Sequence, residues 1–405
     1  MGSIRQGTPA FRQTNLAFFA AGFNTFAILY STQPLMPEFT REFHLTPAMA
    51  SLSLSLTTVT LGFSMLLCSS LSEVWGRKPL MTASVLAASV LSMLTAFSPT
   101  YESLLVYRIL LGFALGGLPS IAMAYLGEEM DPRSLGIAMG LYISGNSLGG
   151  VGGRMISSLL TELFNWHVAI GTVSLISLIA SLIFIRSLPK SAHFHPRPPE
   201  PASLFSSLMG HLRDPGLLLL YGIGFLVLGS NTAVFNYMGY VLAAPPYSLS
   251  PTLVGWIFLV FLVGMFSSVW MAKLARKYGS HKVLALSLII TLVGAALTLE
   301  PRLGLKLAGL PVVTFGFFGS HSIASAWVGR RARRDRAQAS SLYLFFYYAG
   351  SSIGGTTAGA FWSSLGWGGV VGMTAGFLLT ALLLTGLLFK AAPADAIPVR
   401  HPAAK

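Results

Sequence analysis

The chain has 405 residues, 53% of them hydrophobic and only 10% charged, where a soluble globular protein carries roughly 25% charged residues. That composition excludes a water-soluble domain, and the single Cys68 excludes an intrachain disulfide. The net charge of +13 comes from basic residues scattered over many short polar segments rather than one stripe, which argues against a nucleic-acid partner.

In chain order, the apolar runs predict twelve membrane-spanning helices, at about 14–36, 47–70, 79–98, 102–126, 134–158, 167–187, 216–241, 250–272, 282–299, 304–328, 338–361 and 369–389. Residues 215–272 and 337–389 contain no Asp, Glu, Lys or Arg, and each is about twice the ~20 residues that cross a bilayer. Each is therefore a helix pair, broken at Pro245 and Pro246 and at 366–369. An even number of crossings places both termini on one side. With the termini inside, the inner segments hold twenty-one Lys and Arg, and the outer loops only Arg41, Arg302 and Lys306. This positive-inside pattern predicts a multi-pass protein of the inner (cytoplasmic) membrane with both termini cytoplasmic. The first apolar run is too long for a cleavable signal, and no small-residue cleavage site follows it.

Segment 188–215 is proline-rich and polar and predicts a cytoplasmic linker between two six-helix halves, 1–187 and 216–390, with a cytoplasmic tail at 391–405. Its His193 and His195 have no Cys or acidic partner at ligand spacing, so no metal is expected. The halves echo one another at an offset of roughly two hundred residues. Glu-Val-Trp-Gly-Arg-Lys around Gly76 is answered by Arg-Lys-Tyr-Gly-Ser-His around Gly279. Gly117, Ser120, Tyr125 and Gly127 are answered by Gly319, Ser322, Trp327 and Gly329, and Gly145, Gly149 and Gly150 by Gly350, Gly354 and Gly355. A membrane protein written twice in this way has the layout of a transporter.

Three stretches carry a family resemblance. Ser69-Cys-Ser-Leu-Ser-Glu-Val-Trp-Gly-Arg-Lys lies between the second and third spans, and Arg108-x-x-x-Gly112-x-x-x-Gly116-Gly117 in the fourth. Gly145-Asn-Ser-Leu-Gly149-Gly150-Val-Gly-Gly lies in the fifth. They resemble the signature motifs of the major facilitator superfamily, with Ser69 in place of the leading Gly, Glu73 in place of Asp, and Gly150 where the antiporter motif has Pro. The strings Leu29–Pro37, Ser144–Gly150 and Phe235–Tyr240 resemble the bacterial YnfM-type branch, grouped with drug and sugar efflux permeases. The resemblance implies an all-α membrane protein, twelve helices in two pseudo-symmetric six-helix halves, working as a monomer without a cofactor.

Each motif has a physical use. Gly76 supplies the positive φ a tight inner turn needs, while Arg77 and Lys78 are expected to anchor the turn at the headgroups. In the family, the acid at Glu73 acts as a conformational latch with Gly76 and Arg77, closing on the start of the eleventh helix near Ser340 and Ser341. Arg108 sits about six residues into the fourth helix, where an arginine costs about 2.5–3.5 kcal/mol to insert; the family uses it for proton coupling or substrate contact. Arg154 poses the same problem in the fifth helix, with Glu162 as its nearest acid. Gly112, Gly116, Gly145, Gly149, Gly150, Gly350 and Gly354 are helix-packing glycines that let helices approach closely and slide.

Polar residues inside the spans predict a cavity wall: Tyr30, Gln33, Tyr142, Asn146, Asn231, Asn236, Tyr237, His321 and Tyr347. None of the Asp and Glu falls near the centre of a span, so proton coupling would use Glu73, Glu38, His321 or a group on the solute. No G-x-x-x-x-G-K-[ST] stretch is present, which leaves a gradient as the energy source. The expected function is secondary active transport, a proton-coupled efflux of a small organic compound such as a drug-like molecule or sugar. The alternative is transport of a small anion on Arg108 and Arg154. A polytopic membrane enzyme would need a catalytic cluster that the sequence does not show.

Overall fold

The computed structural model describes residues 3–194, 201–332 and 334–391, and it is all-helical apart from one isolated bridge between Ile4 and Met130. His195, the prolines 196–199 and the tail beyond 391 lie outside the described residues. The first six long helices are α1 (Pro9–Tyr30), α2 (Pro47–Trp75), α3 (Arg77–Ala96), α4 (Tyr101–Glu129), α5 (Pro132–Leu163) and α6 (Trp166–Ser187). The next six are α7 (Pro215–Ala243), α8 (Pro251–Tyr278), α9 (Ser280–Leu297), α10 (Leu303–Arg331), α11 (336–365) and α12 (367–391). Segment 188–215 is not extended throughout: it contains a further helix, Pro201–Leu212.

Local chemistry sets the boundaries. Thr8, Thr46, Thr100, Asn165 and Ser250 each accept a backbone amide as N-caps. Gly76 (φ 95°) and Gly279 (φ 92°) make the same left-handed turn between α2 and α3 and between α8 and α9, so the sequence echo is a repeated backbone shape. A third left-handed glycine, Gly366 (φ 60°), breaks the run between α11 and α12.

Among the described residues, nine helical segments are long and apolar enough to cross a membrane, α11 and α12 counting as one. Helices α1 and α5 are missing from that set because Asn, Gln, Arg, Tyr and many glycines lower their hydropathy, as expected of helices that face one another and a polar interior rather than lipid. The outer surface is apolar, with Phe266, Trp270, Leu365 and Leu383 all exposed.

Glycines fix the tightest contacts. A β-carbon on Gly145 or Gly149 would collide with the carbonyl oxygen of Phe19 or Phe23 of α1, and Gly153 sits likewise against Ala27. The second half repeats this geometry, with Gly350 on Phe225 and Gly354 on Gly229 of α7. Gly112 and Gly116 press α4 onto Thr57, Thr60 and Ser64 of α2. Gly150 has no such role: its nearest neighbour leaves ordinary space and belongs to Arg154.

The two sets of six helices meet at the end of the bundle remote from both termini. Gln33 Nε2 donates to Asn236 Oδ1 (2.8 Å), Thr40 Oγ1 pairs with Tyr240 Oη (2.7 Å), and Thr356 Oγ1 donates to Ser55 Oγ (2.9 Å). Glu162 accepts the amide of Thr252 (2.8 Å) at the start of α8. Midway along, Gly62 of α2 lies against Phe345 and Tyr348 of α11. At the terminus-bearing end, no hydrogen bond joins the described residues of α1–α6 to those of α7–α12. Among the described residues, the hydrogen bonds between the two sets are thus confined to one end.

Candidate functional site

The hydrogen-bonded end closes over Arg154. Its side chain is 4% exposed, deep in α5, and does not reach for the surface. Nε donates to Gln33 Oε1 (2.7 Å) and Nη1 to the carbonyl of Gly150 one turn earlier (2.7 Å). Three rings surround the guanidinium carbon: Tyr30 at 3.9 Å, Phe261 at 4.8 Å and Phe258 at 4.9 Å. Ring faces carry negative electrostatic potential and stabilise a desolvated cation, Arg more than Lys. The expected acid is elsewhere, because Glu162 is bound to the amide of Thr252, and Arg154 has no carboxylate partner among the described residues. Its Nη2 makes no hydrogen bond to a described residue.

Gln33 makes this a two-sided site. It follows the end of α1, in a short 3₁₀ turn Gln33–Leu35 that directs its amide inward. One amide atom holds Arg154 of the first half and the other holds Asn236 of the second. Nearby donors are left over: Asn236 Nδ2 and Thr32 Oγ1 are buried without partners, a condition that buried polar atoms rarely tolerate unless something else satisfies them.

Below this node lies a tyrosine cluster shared by both halves. Tyr30 lies near Tyr347 and Tyr348 of α11, and Tyr142 near Tyr348. Tyr347 stacks beside His321 (4.4 Å between ring centroids), and His321 Nδ1 is 3.1 Å from Tyr343 Oη. Asn146 rests its Oδ1 on Gly22 of α1, and Asn231 Oδ1 is buried without a partner. Tyr237 donates to the carbonyl of Gly355 (3.1 Å) and packs on Tyr240 and Trp362, within the second half.

Arg108 is placed differently from Arg154. It is 1% exposed, and all three of its nitrogens donate to backbone carbonyls: Nε to Ser53 (2.7 Å), Nη1 to Ile28 (3.1 Å) and Nη2 to Leu29 (2.8 Å). Ile28 and Leu29 lie in the last turn of α1, where carbonyls lack helical partners and the helix dipole favours a cation. Arg108 thus caps one helix and straps it to α2, with each of its three nitrogens already engaged by a carbonyl.

The residues of the first-half turn also fall apart by role. Arg77 is turned inward rather than toward headgroups: Nη2 meets Glu128 at 2.8 Å and Nη1 meets Ser72. Lys78 folds back onto the carbonyl of Leu188. Glu73 is half-buried and makes no hydrogen bond or ion pair with a described residue. Glu38 is spent on Arg41 in a surface pair (2.5 Å). His193 binds Glu129, through its amide (2.9 Å) and Nδ1 (3.0 Å).

The sequence misses three parts of this site. Phe258 and Phe261 sit in a continuous apolar run that gives no sign of facing a cation. Gly153 was overshadowed by Gly150, although Gly145, Gly149 and Gly153 share the four-residue spacing that marks one helix face. Glu128 as the partner of Arg77 is set by where α4 ends beside α3, which spacing alone does not disclose.

Known proteins share both sequence and shape with this chain. The sequence profile of the Major Facilitator Superfamily matches residues 15–244 and again 220–404. The chain is 60% identical over 388 residues to the MFS-type transporter YybF of Bacillus subtilis (strain 168), which covers 96% of each protein. It is 43% identical over 381 residues to the inner membrane transport protein YnfM of Escherichia coli (strain K12), covering 94% of this chain and 91% of that one. Its backbone matches the crystal structure of the peptide transporter POT in complex with sulfate at a TM-score of 0.76 and 14% identity, over 94% of each chain. This last likeness concerns the fold alone.

Proposed function

The chain belongs to the major facilitator superfamily and is a secondary transporter, not an enzyme; on that premise we propose that it moves a small organic solute out of the cell by proton-coupled alternating access. The observation that carries this reading is the asymmetry of the bundle. Among the described residues, α1–α6 and α7–α12 are hydrogen-bonded to each other at one end and not at the other, with Arg154, the tyrosines and His321 between. In this reading a solute enters from the end without such bonds, and rocking about the shared centre admits it from the other.

In the same proposal the terminus-bearing end is cytoplasmic and the protein lies in the inner membrane, as the basic residues of its inner loops favour and as the printed name of the YnfM relative says of that protein. The conformation seen is then inward-facing. Glu73 is the latch of the opposite state: when the cytoplasmic ends of α2 and α11 come together, its carboxylate meets the positive start of α11. His321 and its Tyr343 partner form the proton-responsive pair, because no Asp or Glu lies near the centre of a span.

The test is solute and proton movement in everted membrane vesicles that overproduce the chain. An imposed pH gradient is expected to drive solute uptake into them and to be partly dissipated by added solute. Uptake unaffected by the gradient would refute proton coupling, and uptake only in right-side-out vesicles would reverse the direction.

A further inference from the structure

We propose that the central site takes a planar organic anion, such as an aryl carboxylate, and that this anion replaces the Gln33 side chain on Arg154, releasing the hydrogen bond that seals the far end. The proposal rests on the transporter function above and names its substrate class.

The argument begins with charge. Arg154 is nine-tenths buried or more, lacks a carboxylate, and has one nitrogen, Nη2, without a hydrogen bond to a described residue. An ion buried in this way is costly unless fully paired. What it has instead is a neutral stand-in, because Gln33 Oε1 occupies the place beside Nε that a carboxylate oxygen would take. A carboxylate on the Nε and Nη2 edge would make two parallel charge-assisted bonds, each roughly twice as strong as a neutral one. The exchange is therefore favourable for an anion, and not for a neutral or cationic solute of the same shape.

Shape comes from the rings. Tyr30, Phe258 and Phe261 stand around the guanidinium, from α1 and α8 on opposite halves. A flat, unsaturated body attached to the carboxylate can lie against such faces. The unpaired donors Asn236 Nδ2 and Thr32 Oγ1 add to the demand for an acceptor-rich ligand.

Coupling follows from the same atoms. Gln33 holds Arg154 with one amide atom and Asn236 with the other, so its position is set from both halves. An anion that displaces Gln33 from Arg154 removes one of these restraints and loosens the link to Asn236. Binding would then weaken the seal at the far end, which is the step an occupied transporter must take before opening there.

The experiment measures binding of three isosteric probes, benzoate, benzamide and benzylamine, to the purified full chain in nanodiscs, for the native protein and for Gln33→Glu and Arg154→Gln. Gln33→Glu places a tethered carboxylate on Arg154 and keeps the buried charge paired, so it is expected to fold. The expected result is benzoate binding at least tenfold tighter than benzamide or benzylamine, with that preference lost in Gln33→Glu and Arg154→Gln. Equal binding of the three probes, or an undiminished benzoate preference in Gln33→Glu, overturns the proposal. Either negative result can coexist with movement of the two ends in distance measurements, in which case the transporter function stands and only the substrate class falls.

Discussion

Gln33 and Asn236 are joined by a 2.8 Å hydrogen bond between side chains 203 positions apart, and both are almost completely buried. Gln33 lies in the 3₁₀ turn that follows α1 and Asn236 in α7, the repeat-related helix of the other half, so the bond ties the halves together. Replacing Asn236 by Leu leaves the Gln33 amide donor unsatisfied at a cost of about 1–3 kcal/mol to this conformation. The expected outcome is a larger population open at the far end, read as faster thiol labelling of a cysteine placed at Thr40. Unchanged labelling would remove this bond from the gate.

Arg108→Ala is expected to act on folding. It removes the arginine donors from the carbonyls of Ser53, Ile28 and Leu29; Ser53 and Ile28 keep the hydroxyls of Thr57 and Ser31, and a buried acceptor left unpaired, as at Leu29, costs about 1–3 kcal/mol. A melting temperature lowered by several degrees in detergent, with the residual folded fraction still binding solute, is the predicted result. Native stability with abolished transport would instead assign Arg108 to solute or proton handling.

Gly149→Ala and Gly150→Ala differ by one position and should differ sharply. Alanine at 149 drives a methyl into the backbone of Phe23, and overpacking of this kind costs typically 1–3 kcal/mol or more. At 150 the nearest neighbours lie at ordinary contact distances, so alanine should be close to neutral. Thermal unfolding of the two variants side by side checks this, and equal losses would contradict the packing described.

Asp214 supplies the pH-dependent prediction. It precedes α7, outside the span, and one carboxylate oxygen accepts from Arg331 Nε (2.8 Å) and from the amides of Gly216 (2.8 Å) and Leu217 (3.1 Å). Partial burial opposes ionisation, but the Arg331 hydrogen bond, the two amides and the Arg331 charge outweigh it and hold the carboxyl below its ordinary value. Because the folded value is lowered, the stabilisation is full above the ordinary aspartate value of about 4 and is lost as the pH falls from there through the lower folded value. Asp214→Ala should cost about 1 kcal/mol at neutral pH, the usual loss for an N-cap. Melting curves of the two proteins should converge on acidification, and a constant gap down to pH 3 would contradict this assignment.

Much of this architecture is legible in the sequence, for reasons that differ by element. Charge-free runs and paired glycine turns are local properties, so the twelve spans and the repeat at Gly76 and Gly279 can be read directly. Arg154 and Arg108 look alike in sequence, each an arginine inside an apolar span, and only packing separates them. Arg108 meets the frayed end of α1, whereas Arg154 meets the rings of α1 and α8 and the amide of Gln33. Partners contributed by the opposite half, such as Asn236, Phe258 and Phe261, are hidden because no local pattern records which helices will face each other. The turn at Arg77 misleads for the same reason: its partner Glu128 comes from the end of α4, and the expected headgroup contact is replaced by burial.

The central claim is that the two ends open reciprocally, and distance measurements between pairs of spin labels test it most directly. On a Cys68→Ser background, one pair at Leu71 and Ala337 reports the terminus-bearing end, and another at Arg41 and Ala244 reports the far end. All four positions are exposed. In nanodiscs between pH 8 and pH 5, each pair is predicted to show two distances, with conditions that shorten the first pair lengthening the second. A single unchanging distance at both ends, or both pairs lengthening together, would contradict the account.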